Sequence, residues 1–146
     1  MKSIAFVKCE SPKEHYTADA CVVWCFDDRF YKLLKAFGKE EAFGHIDLVK
    51  IAGGAKALAG EASPDRDFLL NQLKTSVRLH GTNSVVLMLH RDCGAYGGSK
   101  SFADADAEKA YLTDQLHRAK DIVKKEVPEL SVWTYFADLD GLYEID

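Results

Sequence analysis

Apolar residues along the chain occur as short continuous runs that alternate with patterns of helical spacing. Continuous apolar runs are typical of strands buried on both faces, as in parallel sheets. A shorter apolar segment near the N-terminus, residues 4–7, is expected to form an arm or an edge strand. The main strands are predicted at residues 20–25, 45–51, 84–89 and 130–136, followed by a short one at 142–145.

Helical patterns separate these strands. Asp27 and Asp28 offer an N-cap and an acidic first turn to a helix that Gly38 is expected to end. Ser63-Pro64-Asp65 predicts the start of a second helix, which closes at Gly81. The longest helix is expected over about residues 104–127, where apolar side chains form one stripe before a proline.

The alternation of strands and helices predicts an α/β fold. We expect a central parallel β-sheet of about four strands in the order 2-1-3-4, with helices on both faces. Asp140-Gly141 is a hairpin-type turn and predicts a C-terminal antiparallel hairpin strand. The 146 residues fit one domain spanning positions 1–146, with no repeat or linker dividing it.

Charge and composition exclude several classes of function. A net charge of −4 gives neither a basic surface for nucleic acid nor a polybasic membrane signal. No apolar run approaches the ~20 residues of a membrane helix, and the first eight residues lack the apolar core of a signal peptide. We therefore expect a cytoplasmic protein that binds no nucleic acid and no membrane, with its cysteines reduced or metal-bound.

Metal-ligating residues follow two of the predicted buried strands. Cys25 ends the first strand, and His90 ends the third, with Cys93 three residues later. If these strands are neighbours, the three side chains meet in one crevice at the carboxyl ends of the strands. Two cysteines and one histidine form a ligand set that Zn²⁺ accepts, with the fourth position open as in catalytic sites. The sequence therefore predicts one Zn²⁺ per chain.

Asp27 and Arg29 follow the first ligand closely. An arginine can hold an aspartate in a bidentate ion pair and keep it ionised. Such an aspartate can accept a hydrogen bond from a zinc-bound hydroxide and so orient it toward an electrophilic carbon. A simpler interpretation also stays open, in which Asp27 is only a helix cap and Arg29 only a surface residue.

These motifs resemble those of the β-class carbonic anhydrases. Residues 25–29 are similar to the Cys-x-Asp-x-Arg motif of that family, and residues 90–94 to its His-x-x-Cys-Gly motif. The resemblance runs in order from about residue 20 to the C-terminus and indicates a small, shortened member. The chain departs from the family pattern at Leu89, which replaces a glycine, and at Lys50 and Ile51, which replace an Arg-Asn pair.

The resemblance implies a zinc-dependent lyase that hydrates CO₂ reversibly to bicarbonate. It implies Cys25, His90 and Cys93 as zinc ligands, Asp27 and Arg29 as the catalytic pair, and a homodimer or higher homo-oligomer. Two other functions stay open: hydrolysis of a related small substrate such as carbonyl sulfide or carbon disulfide, and a non-catalytic binding role.

Overall fold

Five strands form a single sheet in the computed structural model, which describes residues 4–146. The sheet has the order β2-β1-β3-β4-β5; β1 to β4 are parallel, and β5 pairs antiparallel with β4. This arrangement confirms the predicted α/β class, strand order and C-terminal hairpin. The strands are β1 Ala20–Cys25, β2 Ile46–Ile51, β3 Ser84–His90, β4 Ser131–Asp138 and β5 Gly141–Ile145.

Helices cover both faces of the sheet, as predicted. One face packs against α2, α3 and α4, through side chains such as Leu58, Leu73 and Leu116. The other face packs against α1, through Leu34 and Phe37. The helices are α1 Tyr31–Glu40, α2 Lys56–Ala59, α3 Pro64–His80 and α4 Ala105–Glu126, with 3₁₀ turns at Asp28–Phe30, Gly94–Tyr96 and Ser99–Ser101.

Burial on both faces explains why the central strands have continuous apolar sequences. Every residue of β1 is buried, and so is every residue of β3 after Ser84. Each of these strands lies between two others, and helices cover both faces of the sheet, so both faces of these strands are buried. Because β1 and β3 are parallel neighbours, their carboxyl ends lie side by side at the same end of the sheet, where the chain leaves the core.

One local prediction was wrong. Gly38 does not end α1, which continues to Glu40; the left-handed residue after the helix is Ala42, with φ 54°, and Phe43 N–H bonds the Gly38 carbonyl at 3.0 Å. For residues 4–7 the structure supports the first of the two predicted alternatives: they form an exposed irregular arm, and the edge strands of the sheet are β2 and β5. Within residues 4–146, no helix combines the length and apolar character needed to cross a bilayer.

Candidate metal centre

The structure brings together the three predicted metal ligands. Cys25 is the last residue of β1, His90 is the last of β3, and Cys93 follows in the turn after β3. One ligand atom from each residue lies within 4.8 Å of the other two. All three residues are buried, with at most 3% of their surface exposed. Parallel pairing of β1 with β3 is what aligns their ends and creates this group.

His90 presents one nitrogen to the ligand group and uses the other for a hydrogen bond. Its Nδ1 lies 2.7 Å from the carbonyl oxygen of Arg91. A carbonyl only accepts hydrogen bonds, so Nδ1 carries the proton and Nε2 carries the lone pair. Among the described residues, the buried Nε2 has no hydrogen-bond partner. A buried polar atom without a partner is costly, and a metal ion would satisfy this one.

The two thiols differ in their pKa. A hydrogen bond from Cys93 lowers the pKa of Cys25, although burial opposes this shift. The same hydrogen bond, with burial, raises the pKa of Cys93. Cys25 is therefore the thiol that loses its proton first, and Cys93 would lose its proton when a metal binds, because the thiolate is the ligand form.

Gly54 allows a close approach of backbone beside these strands. Its φ is +53°, and a Cβ atom there would lie 2.4 Å from the carbonyl oxygen of Met88 and 3.2 Å from the backbone nitrogen of Cys25. The close approach lets Ala55 N–H donate to the Met88 carbonyl at 3.2 Å. The glycine turn that follows β2 thus packs directly against both strands that carry ligands.

Asp27 lies beside the ligand group and is held by Arg29. Arg29 Nε donates to both carboxylate oxygens, at 3.0 and 3.1 Å, and Nη2 donates to Oδ2 at 2.6 Å. Asp27 also caps the 3₁₀ turn by accepting from Arg29 N–H at 3.1 Å. Its Oδ2 is 4.0 Å from His90 Nε2. The hydrogen bonds from Arg29 lower the pKa of Asp27 to about 2, so the carboxylate is ionised at neutral pH.

Sequence reasoning did not include Glu108 in the site. Its side chain on α4 is 1% exposed and accepts a hydrogen bond from the backbone N–H of Asp92, in the turn between His90 and Cys93, at 2.7 Å. A signal was present, because Glu108 occupies the first position of the apolar stripe that continues through Leu112 and Leu116 at four-residue spacing. A charged residue in such a stripe must find a polar partner in the interior.

Four other cysteine and histidine residues do not belong to the ligand group, which consists of Cys25, His90 and Cys93. Cys21 is inside β1, and burial raises its pKa to about 12. Cys9 is exposed. His80 bonds Asp47 at 2.7 Å, near the start of β2 and thus toward the amino ends of the strands, opposite the ligand group. His117 bonds the backbone carbonyl of Asp146 at 2.7 Å.

Comparison with known proteins places the chain in a family. A family model described as "Putative carbonic anhydrase" matches residues 16–145. An uncharacterised protein of Rickettsia conorii is 31% identical over 156 aligned positions, which cover 94% of this chain and 79% of that protein.

Solved structures show the same fold at low sequence identity. A carbonic anhydrase of Streptococcus mutans has a TM-score of 0.62 at 16% identity, covering 96% of this chain and 88% of its own. A β-carbonic anhydrase of Trichomonas vaginalis has a TM-score of 0.61 at 15% identity, covering 94% and 87%. The chain therefore belongs to the family described as "Putative carbonic anhydrase", and its fold is that of the β-carbonic anhydrases.

Proposed function

We propose that the protein is a zinc-dependent carbonic anhydrase that converts CO₂ and water to bicarbonate and a proton, reversibly. The observation that carries this proposal is the buried, unpartnered Nε2 of His90, which lies in a group with two cysteines and beside an ionised Asp27. Membership of the family supports the same reaction.

Cys25, His90 and Cys93 would hold the metal. Two thiolates and an imidazole suit Zn²⁺, and three protein ligands leave one of four tetrahedral positions for water or substrate. Zinc bound in this way acts as a Lewis acid and makes water a nucleophile near neutral pH. The hydrogen bond from His90 Nδ1 to the Arg91 carbonyl fixes the tautomer that such binding requires.

Asp27 would orient the nucleophile. An ionised carboxylate only accepts hydrogen bonds, so it selects one orientation of a donor O–H group beside the ligands. Arg29 donates hydrogen bonds to both carboxylate oxygens of Asp27. This supports a role for Asp27 as an oriented hydrogen-bond acceptor instead of a fourth metal ligand. The Asp27 side chain is 22% exposed, which leaves it in reach of the solvent that must receive the released proton.

We also propose that the functional form is a homodimer or a larger homo-oligomer. Several large apolar side chains are exposed in the single chain, among them Phe26 at 62%, Leu139 at 73% and Trp133 at 49%. Phe26 follows Cys25 directly, so a partner subunit at this surface would reduce access of bulk water to the site. Light scattering coupled to size-exclusion chromatography measures the assembly, and a monomer at micromolar concentration would contradict this part of the proposal.

Stopped-flow measurement of CO₂ hydration, on protein with one zinc per chain, tests the proposed reaction. We expect turnover that exceeds the buffer rate at pH 7 and rises toward pH 9, as the nucleophile loses its proton. Absence of turnover at both pH values with full zinc occupancy would refute the proposal. Parallel assays of carbonyl sulfide and carbon disulfide hydrolysis would then decide whether a related small molecule is the substrate.

A further inference from the structure

A hydrogen-bonded chain of residues connects buried Glu108 to the Asp27–Arg29 pair. Arg29 uses a second edge of its guanidinium group for Asp92: Nη1 donates to Asp92 Oδ2 at 3.0 Å, and Nη2 donates to the Asp92 carbonyl at 3.1 Å. Arg29 therefore bridges two aspartates from different parts of the chain, one after β1 and one after β3.

The hydrogen bonds to Asp92 fix the orientation of the Arg29 side chain, although that side chain is half exposed. The Arg29 side chain is 50% exposed, and an exposed ion pair by itself holds its partners weakly. A guanidinium group bonded along two edges has its plane fixed, because its donors form a rigid fork. The position of Asp27 near the ligand group thus depends on how firmly Asp92 is held.

Asp92 is fixed from the protein interior. It lies in the left-handed region at φ 57°, which non-glycine residues adopt only with local support. Its N–H donates to Glu108 Oε1 at 2.7 Å, and its Oδ1 accepts from Ser99 N–H at 2.9 Å. Ser99 Oγ–H in turn donates to Glu108 Oε2 at 2.7 Å.

Glu108 is itself held in one orientation. Arg91 Nη1 donates to Glu108 Oε2 at 3.0 Å, while its Nε and Nη2 donate to the two oxygens of Asp138, at 3.0 and 2.7 Å. With the donors from Asp92 and Ser99, the Glu108 carboxyl group accepts three hydrogen bonds. A carboxyl group satisfied in this way, on a 22-residue helix, is a rigid support for the turn between the metal ligands.

We propose that Glu108 and Asp92 are positioning residues for the Asp27–Arg29 pair. Glu108 holds the left-handed turn at Asp92, Asp92 fixes the guanidinium group of Arg29, and Arg29 aims the carboxylate of Asp27 at the ligand group. The kinetic consequence rests on the proposed function, whereas the effect on the orientation of Arg29 does not.

Asp92→Asn and Glu108→Gln are the informative variants. Asparagine tolerates the left-handed conformation as well as aspartate does, so Asp92→Asn keeps the turn and removes the charge that holds Arg29. Asp92→Gly provides a second route, since glycine adopts the same φ and removes the carboxylate. Glu108→Gln keeps the volume but places an amide N–H₂ group against donors. Asp114→Asn is the matched control, because Asp114 pairs with Arg118 on the exposed face of α4.

NMR spectra of the Arg29 side chain, recorded on zinc-loaded protein, provide the first test. In the wild type we expect a distinct Nε–H signal and resolved Nη–H signals, because rotation of the guanidinium group is restricted. Asp92→Asn, Asp92→Gly and Glu108→Gln should shift the Nε–H signal and average the Nη–H signals, at unchanged zinc content. Spectra of Arg29 that match those of the wild type and Asp114→Asn would overturn the proposal.

A double-mutant cycle gives the second test. We expect Asp92→Asn to lower kcat/KM for CO₂ hydration about tenfold in the wild type and to have no further effect in an Asp27→Asn background. Full additivity of the two substitutions would overturn the proposal, because Asp92 would then act independently of Asp27. If the wild type does not hydrate CO₂, the proposed function fails, and the NMR spectra still decide whether Asp92 and Glu108 position Arg29.

Discussion

Different contacts adapt the three candidate ligands Cys25, His90 and Cys93 to metal binding. The orientation of His90 is set by a backbone carbonyl, and the pKa values of the two cysteines are pushed apart by the hydrogen bond between them. Asp27 is not a member of this group; Arg29 orients its carboxylate and lowers its pKa. At the scale of residues, the side chains that would hold the metal are therefore distinct from the Asp27–Arg29 pair that lies beside them.

Asp27→Asn tests this separation. The variant keeps the size of the side chain but weakens its pairing with Arg29, so we expect kcat/KM for CO₂ hydration to fall roughly 10- to 100-fold at unchanged zinc content. Asp28→Asn is the matched control, since Asp28 is the neighbouring residue and is exposed. Equal rates in the wild type and Asp27→Asn would remove Asp27 from the mechanism.

The ion pair of Asp27 also predicts a pH dependence of stability. Folding lowers the pKa of Asp27 from 3.8 to about 2, so the pair contributes fully above about pH 4 and is lost as the pH falls toward 2. The contribution is on the order of 1 kcal/mol, because half of the Arg29 side chain is exposed and solvent screens the pair.

Urea unfolding of zinc-free wild type and Asp27→Asn between pH 2 and pH 7 measures this contribution. The difference in the free energy of unfolding should be constant at neutral pH and should shrink toward zero in acid. A difference that stays constant down to pH 2 would show that the stability difference does not come from the charge of Asp27.

At the scale of elements, the ends of two parallel strands create the site. β1 and β3 are adjacent, and the turn at Gly54 packs against both of them. The position of the ligands therefore depends on backbone contacts that only a glycine permits.

Gly54→Ala tests that dependence, with Gly38→Ala as its control. We expect Gly54→Ala to lower the free energy of unfolding by about 3 kcal/mol and to weaken zinc binding, because the new methyl group would meet the Met88 carbonyl. Gly38 lies inside α1 with open space around its Cβ position, so Gly38→Ala should raise stability by roughly 0.5–1 kcal/mol. Chemical denaturation measures both effects, and equal outcomes would refute the packing argument for Gly54.

Element types could be predicted from the sequence where burial is complete. The continuous apolar runs of β1 and β3 identify strands between two helical layers, and Ser63-Pro64 identifies the start of α3. The sequence pattern does not predict α2, because a helix of four residues is too short to show a repeating helical pattern. Gly38 was misjudged because a glycine is also compatible with a helix interior when the following residues supply the helix end.

The candidate site could be predicted only in part, for a related reason. Cys25 and His90 end buried strands and Cys93 follows three residues later, so the local sequence indicates these candidate ligands. The contact between Arg29 and Asp92 joins residues 63 positions apart and depends on the orientation of a half-exposed side chain, which no local pattern encodes. Glu108 and its three donors come together only after α4 has packed beside the turn that follows β3.

At the scale of the whole molecule, the groups of the proposed mechanism lie together at the carboxyl ends of the parallel strands. The Asp47–His80 pair lies toward the amino ends of the strands and takes no part in the proposed mechanism. The central claim of the proposed function is that this chain would hold one Zn²⁺ through Cys25, His90 and Cys93, whose ligand atoms form one buried group.

Zinc content per chain, measured by elemental analysis after exhaustive dialysis, tests that claim most directly. We expect one zinc per chain in the wild type and in Cys9→Ser, because Cys9 is exposed and is not a member of the ligand group. Cys93→Ser should abolish stoichiometric binding, because a serine hydroxyl is a poor zinc ligand near neutral pH. Retention of one zinc per chain by Cys93→Ser would contradict the account.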